Sequence, residues 1–184
     1  LEQEIIKVKI GTDNKVKVEV KEGGGEYSAF VLDTSIAQVE VANNEIILEG
    51  FVNGQTSLIL SDKYSRYRKV PISVYTTDKL QLSEVDLDLI TKLGSSQTTT
   101  AEVTLGNGGY EIKSDNPALS VSITEEGEIS MTATSKMADY TATVTVTDCT
   151  GLSADILVTV KATLVPFTDE ELETIMESNT KRYY

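Results

Sequence analysis

The chain has 184 residues, 29 acidic against 16 basic, a formal net charge of −13, no histidine and one cysteine, Cys149. A field of that sign opposes binding of nucleic acid or an anionic membrane through the whole surface, and the missing histidine excludes Ser-His-Asp and Cys-His catalysis together with the usual Cys/His zinc sites. A lone thiol forms no internal disulfide, and 40% apolar residues with no run of membrane-spanning length describe a globular chain.

From Glu4 to Ile10 the residues alternate, with Ile6, Val8 and Ile10 on one side and Ile5, Lys7 and Lys9 on the other. Gly11-Thr12-Asp13-Asn14 reads as a turn. Val16, Val18 and Val20 then alternate with Lys15, Lys17, Glu19 and Lys21, the pattern of a half-buried antiparallel strand. Beyond Gly23-Gly24-Gly25, strands are expected over 27–32, 36–41, 45–49, 56–61 and 69–75, with turns at Asn43-Asn44 and Asn53-Gly54. Short strands at this regular spacing, with no helical segment among them, argue for a sandwich.

Thr76-Thr77-Asp78-Lys79 is the one candidate linker, and its brevity predicts a rod with restricted motion rather than beads on a string. Residues 80–89 are expected as the first strand of a second unit, and 94–100 as a longer loop or an edge segment. In 140–147, Tyr140, Ala142, Val144 and Val146 point inward while Thr141, Thr143, Thr145 and Thr147 point outward, which suits a pleated, solvated face. Residues 154–162 close that unit. The tail then changes character. Thr168 and Glu171 form a capping box, Phe167 and Leu172 a hydrophobic staple, and the acidic first turn complements the helix dipole. Leu172, Ile175 and Met176 make a small apolar stripe, with Asn179 as the expected stop. A helix this short is marginal alone, so it should dock on a domain or on something outside the chain.

Much of this is written twice. At one constant offset Val20 corresponds to Val103, Tyr27 to Tyr110, Asp33 to Asn116, Ile36 to Leu119, and Ile46 to Ile129. At a slightly larger offset Leu58, Leu60 and Asp62 correspond to Val144, Val146 and Asp148, and Val70, Ile72 and Val74 to Ile156, Val158 and Val160. Two copies of one β domain explain the pattern. They occupy 1–77 and 78–163, with a helical tail over 164–184.

The layout Asp33-Thr34-Ser35-Ile36-Ala37 then Asn44-Glu45-Ile46 returns as Ser114-Asp115-Asn116-Pro117-Ala118-Leu119 then Glu126-Gly127-Glu128-Ile129. With the stretches 50–62 and 140–148, it makes each copy resemble a bacterial immunoglobulin-like domain of the Big family. The likeness covers nearly the whole chain except the tail. It departs in having no tryptophan and no glycine near Thr141. The resemblance implies two tandem all-β immunoglobulin-like Greek-key sandwiches plus a short C-terminal helix. It also implies a secreted or lipid-anchored surface protein of Gram-negative bacteria of the adhesin kind, with an outer-membrane lipoprotein anchor in the full-length protein. A chain starting at Leu1 is expected to be a mature or trimmed fragment.

Carboxylates are the abundant catalytic chemistry. Asp86 and Asp88 share a strand face and Asp169, Glu170 and Glu171 open a helix, but no spacing demands the paired geometry of a glycosidase. The expectation is therefore no enzyme, no cofactor and no metal. Asp62 and Asp148 read as caps on hairpin turns rather than calcium ligands. Cys149 lacks an activator and reads as an incidental thiol. The candidate ligand-binding residues are Lys63, Tyr64, Arg66, Tyr67 and Arg68, cations and tyrosines gathered with Lys69 in one hairpin whose counterpart, 149–153, has none. Tyrosines beside arginines suit an anionic glycan, peptide or acidic surface; the same residues also make a solvated hairpin whose stems cover a sheet edge. The hairpin should point away from the second copy. Arg66→Glu with Arg68→Glu should leave stability nearly unchanged and weaken binding. The function expected is a non-catalytic cell-surface adhesion or scaffold module, a monomer meeting a protein or glycan ligand; the alternative is a glycan-binding module accessory to polysaccharide capture.

Overall fold

The computed structural model describes residues 5–20, 23–43, 45–163 and 168–180, with the side chains of Ile175 and of 177–180 outside that description. Lys21, Asn44, Pro166 and Phe167, expected on an outer face, in a turn and at a staple, lie outside the described residues.

The first copy forms β1 (Ile6–Lys9), β2 (Val16–Val18), β3 (Ser28–Val31), β4 (Ala37–Ala42), β5 (Glu45–Gly50), β6 (Gly54–Ser61) and β7 (Tyr67–Tyr75). They make two sheets, β1-β7-β6-β3 and β2-β5-β4. Between the sheets lie Val8, Val31, Ile46, Leu48, Leu58, Ile72 and Val74, each almost fully buried. These are the alternate apolar residues of their strands. Burying each contributes about 1.5–3 kcal/mol against leaving it exposed. On the smaller sheet the outward alternates are polar around Ile47, and there Lys15 meets Glu49 at 3.0 Å and Lys17 pairs with Glu45. Exposed pairs of that kind add little. A short 3-10 turn, Thr12–Asn14, follows β1. The strand β1 pairs in parallel with β7, from Ile6 beside Ile72 to Lys9 beside Tyr75.

The second copy forms β8 (Gln81–Leu82), β9 (Asp86–Lys92), β10 (Ser96–Leu105), β11 (Glu111–Ser114), β12 (Leu119–Ile123), β13 (Glu128–Thr134), β14 (Tyr140–Thr147) and β15 (Ser153–Thr163). Its sheets are β12-β13-β10-β8 and β11-β14-β15-β9. Both copies have the immunoglobulin-like Greek-key arrangement, with the third, sixth and seventh strands of the sandwich opposing the second, fifth and fourth.

One expectation fails here, and another is settled between its two alternatives. The leading strand, expected as one piece over 80–89, is two: β8 pairs with β10 in one sheet and β9 with β15 in the other. Leu80 and Leu82 pack on the core in one phase of the alternation, Leu87 and Leu89 in the other. A strand of period two cannot hold both on one face, so the chain changes sheets at Ser83-Glu84-Val85. The stretch 94–100, expected as a longer loop or an edge segment, is the latter: from Ser96 it is strand, paired on one side with β13, while β8 joins only at Val103 and Leu105. Gly94 turns at φ +79, and from Ser96 the threonines pair with β13, where Thr98 and Thr132 join hydroxyls at 2.9 Å.

The repeated glycines have a packing cause. A Cβ on Gly23 would lie 2.7 Å from the Tyr27 hydroxyl, and one on Gly106 would lie 2.9 Å from that of Tyr110. In each copy the tyrosine crosses the glycine backbone, and no larger residue fits beneath it.

The helix α1 (Asp169–Thr180) opens with the expected capping box. The Thr168 N–H donates to Glu171 Oε2 at 2.8 Å and the Glu171 N–H to Thr168 Oγ1 at 3.3 Å. It does not stop at Asn179, which lies inside it; asparagine ends a helix by taking the left-handed conformation, and here the backbone stays helical. No helix among the described residues is long and apolar enough to cross a membrane.

Candidate binding surface at the outer pole of the first domain

The strand β7 begins at the basic hairpin and ends at the linker, so nine residues, about 30 Å of strand, separate the two. The hairpin therefore forms the pole of the first domain that faces away from the second. Asp62 builds its turn. Its Oδ1 accepts from the Tyr64 and Arg66 N–H groups at 2.9 and 3.1 Å. Its Oδ2 accepts from Gly24 N–H at 3.1 Å and Arg66 Nε at 2.8 Å. The Arg66 guanidinium, followed by the backbone donors, holds this carboxyl at about 2 against an ordinary 3.8, although burial opposes the shift. The carboxylate is spent on the turn.

The ring of Tyr64 lies over Gly24, where an added Cβ would come within 2.6 Å of it. Lys63 Nζ and Arg66 Cζ stand 5.2 and 5.3 Å from the ring centroid, within cation–π range. Tyr64 remains 65% exposed. The hairpin thus presents one aromatic ring held from below and flanked by two cations. The other predicted residues are divided by strand alternation. Tyr67 stands opposite Ser61 on the outward face of the sheet, whereas Arg68 stands opposite Leu60, whose side chain packs on the core. Tyr67 is 75% exposed. The structure therefore brings Lys63, Tyr64 and Arg66 together, and sets Tyr67 and Arg68 on opposite sides of β7.

The same corner of the second domain does different work. Asp148 repeats the turn: its Oδ1 accepts from the Thr150 and Leu152 N–H groups at 2.9 and 3.1 Å, and its Oδ2 from Asn107 N–H at 3.2 Å. Burial raises its carboxyl, but donors from Thr150, Asn107 and Leu152 leave it below the ordinary value. Asn107 occupies the position of Gly24, and its buried side chain ties the linker. Its Oδ1 accepts from the N–H groups of Thr76 and Thr77, both at 3.0 Å; its Nδ2 donates to Thr77 O at 3.0 Å and to Asp148 Oδ2 at 2.8 Å. From the first domain Asn53 Nδ2 donates to Asn107 O at 3.0 Å and Gln55 Nε2 to Thr150 O at 2.8 Å. Asn107, Asn53 and Gln55 were missed in the sequence. The available signal was the repeat itself, which sets an asparagine against a glycine.

Cys149 donates weakly to Asn107 O at 3.4 Å, and burial, then the Asp148 charge, push its thiol up, away from the thiolate a nucleophile needs. Asp86 and Asp88 are exposed on one face of β9. Asp169, Glu170 and Glu171 open α1, with Glu171 committed to its cap. Among the described residues no group of three or more acidic or cysteine side chains is placed to hold a metal ion.

No protein-family description matches the chain, and no curated protein matches it. Solved structures do. Domains 4 and 5 of the S-layer protein SbsC are similar at 16% identity over 79% of this chain and 82% of that one, with a TM-score of 0.35. A chimeric titin Z1Z2-Z1Z2 tandem is similar at 12% identity over 89% and 97%, with a TM-score of 0.40. A Bacteroides ovatus GH5 xyloglucanase is similar at 26% identity over 50% of this chain, with a TM-score of 0.38, and the chain covers only 21% of that enzyme. The fold assignment stands on the strand order of the two sandwiches.

Proposed function

We propose that the chain is a non-catalytic cell-surface adhesion or scaffold module that carries a recognition surface at the outer end of a two-domain rod. The observation that carries this reading is the Tyr64 ring, seated over Gly24 between Lys63 and Arg66 at the pole opposite the linker. A fixed ring with cations beside it fits a carboxylate-bearing ligand, a protein or a glycan, at little ordering cost. In a chain of net −13 the local positive field also favours an acidic partner. The surface location and a lipoprotein anchor belong to the proposal and rest on the Big-family resemblance.

The double reversal of Arg66 and Arg68 is no longer a clean test. Glutamate at 66 would face Asp62 and break the turn, so stability would fall with binding. Lys63→Glu with Tyr64→Ser leaves the Asp62–Arg66 pair in place. Binding of the chain to cells or to arrayed ligands should fall at least tenfold in that variant while its melting temperature holds. Unchanged binding would sink the reading.

The alternative, a module accessory to polysaccharide capture, draws support from the exposed rings of Tyr64 and Tyr67. A glycan array separates the two. Retention on one class of acidic glycan, lost with Tyr64→Ser, selects the alternative. A hydrolase screen with turnover would overturn both.

A further inference from the structure

The outward face of the sheet β1-β7-β6-β3 differs in kind from its counterpart in the second domain. In the first domain Phe30 stands opposite Ile59, and Ile59 opposite Lys69. The same places in the second domain hold Lys113, Thr145 and Asp155. One row further on, Ser28, Ser61 and Tyr67 correspond to Glu111, Thr147 and Ser153. The second domain's face satisfies itself, with Thr145 Oγ1 donating to Asp155 at 2.6 Å and Thr147 and Ser153 joined at 2.9 Å. The first domain's face is apolar along its β3 edge: Phe30, on that edge strand and paired with Ile59 of β6, is 57% exposed, and the adjoining Leu32 55%. The charged side chains paired across it are Lys7, Lys9 and Lys69, and none of its paired outward positions holds a carboxylate. An exposed apolar patch in a polar surround marks an interaction site; Lys69 shares its row, and Lys7 and Lys9 stand on the opposite edge strand.

Its complement would be acidic and amphipathic, and the chain carries such an element. The helix α1 has Asp169, Glu170 and Glu171 in its first turn, then Glu173, and no basic residue in its last turn. Leu172, 43% exposed, lies beside the Glu170–Glu173 stripe. One chain cannot bring the two together. The eleven residues of β15 run about 36 Å away from the joint, while residues 164–168 span at most about 18 Å and α1 itself about 18 Å.

We propose that this face docks helix α1 of a second copy of the chain. Each copy offers the face at its first domain and the helix at its far end, so the contact is heterologous and association runs head to tail instead of closing at a dimer. A twelve-residue helix covers less than the ~1,200 Å² of a standard interface, so the contact is weak and is read at high protein concentration. The monomer expected from the sequence then describes dilute solution.

Sedimentation of the full chain at rising concentration tests this. The weight-average mass should climb past twice the monomer. A face variant, Lys7→Glu with Lys69→Glu, and a helix variant, Glu170→Lys with Glu173→Lys, should each stay monomeric alone and regain association when mixed, because each then complements the other. Phe30→Ser, which changes no charge, should lower association at least tenfold. A wild-type chain that stays monomeric throughout overturns the proposal, as does association that persists in both charge variants. So does a mixture that behaves as its separate components.

Discussion

Thr91 points into the second core from β9, is 1% exposed, and its hydroxyl meets no partner. An unpaired buried hydroxyl costs about 1–3 kcal/mol, so Thr91→Val, which keeps the shape, should stabilise the second domain by about 1 kcal/mol or more in denaturant unfolding. Asp62 offers a prediction in pH. Its folded value of about 2 lies below the ordinary 3.8, so its contribution is complete above 3.8 and is lost as pH falls through about 2. The Tyr64 and Arg66 amide resonances should therefore titrate together with a midpoint near 2, and Asp62→Asn should remove that midpoint. A midpoint near 4 would mean the pair with Arg66 is absent. At this scale the sequence was readable where one residue caps its own turn, as Asp62 and Asp148 do. It was opaque for Asn107, whose bonds to Asn53, Thr76 and Thr77 cross a domain boundary that no local pattern encodes.

Elements were legible wherever an unbroken alternation settled the inward face. Of the inward set of β14, Ala142, Val144 and Val146 are fully buried, as their period required, and Tyr140 at the strand's start is partly buried against the same core. Val144→Asp should unfold the second domain at a cost of about 3–5 kcal/mol, since the new charge finds no partner. The matching outward change has to respect Asp155, which accepts the Thr145 hydroxyl at 2.6 Å. Thr145→Lys should therefore stay within about 0.5 kcal/mol of the parent, and equal losses at 144 and 145 would contradict a half-buried strand. Alternation misled where its phase slipped. Leu82 and Leu87 carry the slip openly, yet a run of apolar residues reads as one strand until the sheet that each half joins is known.

At the scale of the molecule, brevity of the linker suggested a rod, and Asn107 supplies the means by bonding Thr76 and Thr77 to the second domain's own turn. Asn107→Gly, which installs the first copy's residue, should free the joint. The expected result is a broader distribution of interdomain distances in small-angle scattering and divergent alignment of the two domains in residual dipolar couplings, with each domain's melting little changed. An unaltered scattering profile would assign the stiffness elsewhere. The parallel pairing of first and last strands in each sandwich has a mechanical consequence. A pull on the two ends of a domain loads β1 against β7, or β9 against β15, lengthwise, so their hydrogen bonds must break together rather than one after another. Seven aligned residue pairs join β9 to β15, against four between β1 and β7. Under rising tension applied at its two ends, the first domain should yield at the lower force. The second would then remain folded as the final restraint, and single-molecule extension should record two ruptures in that order.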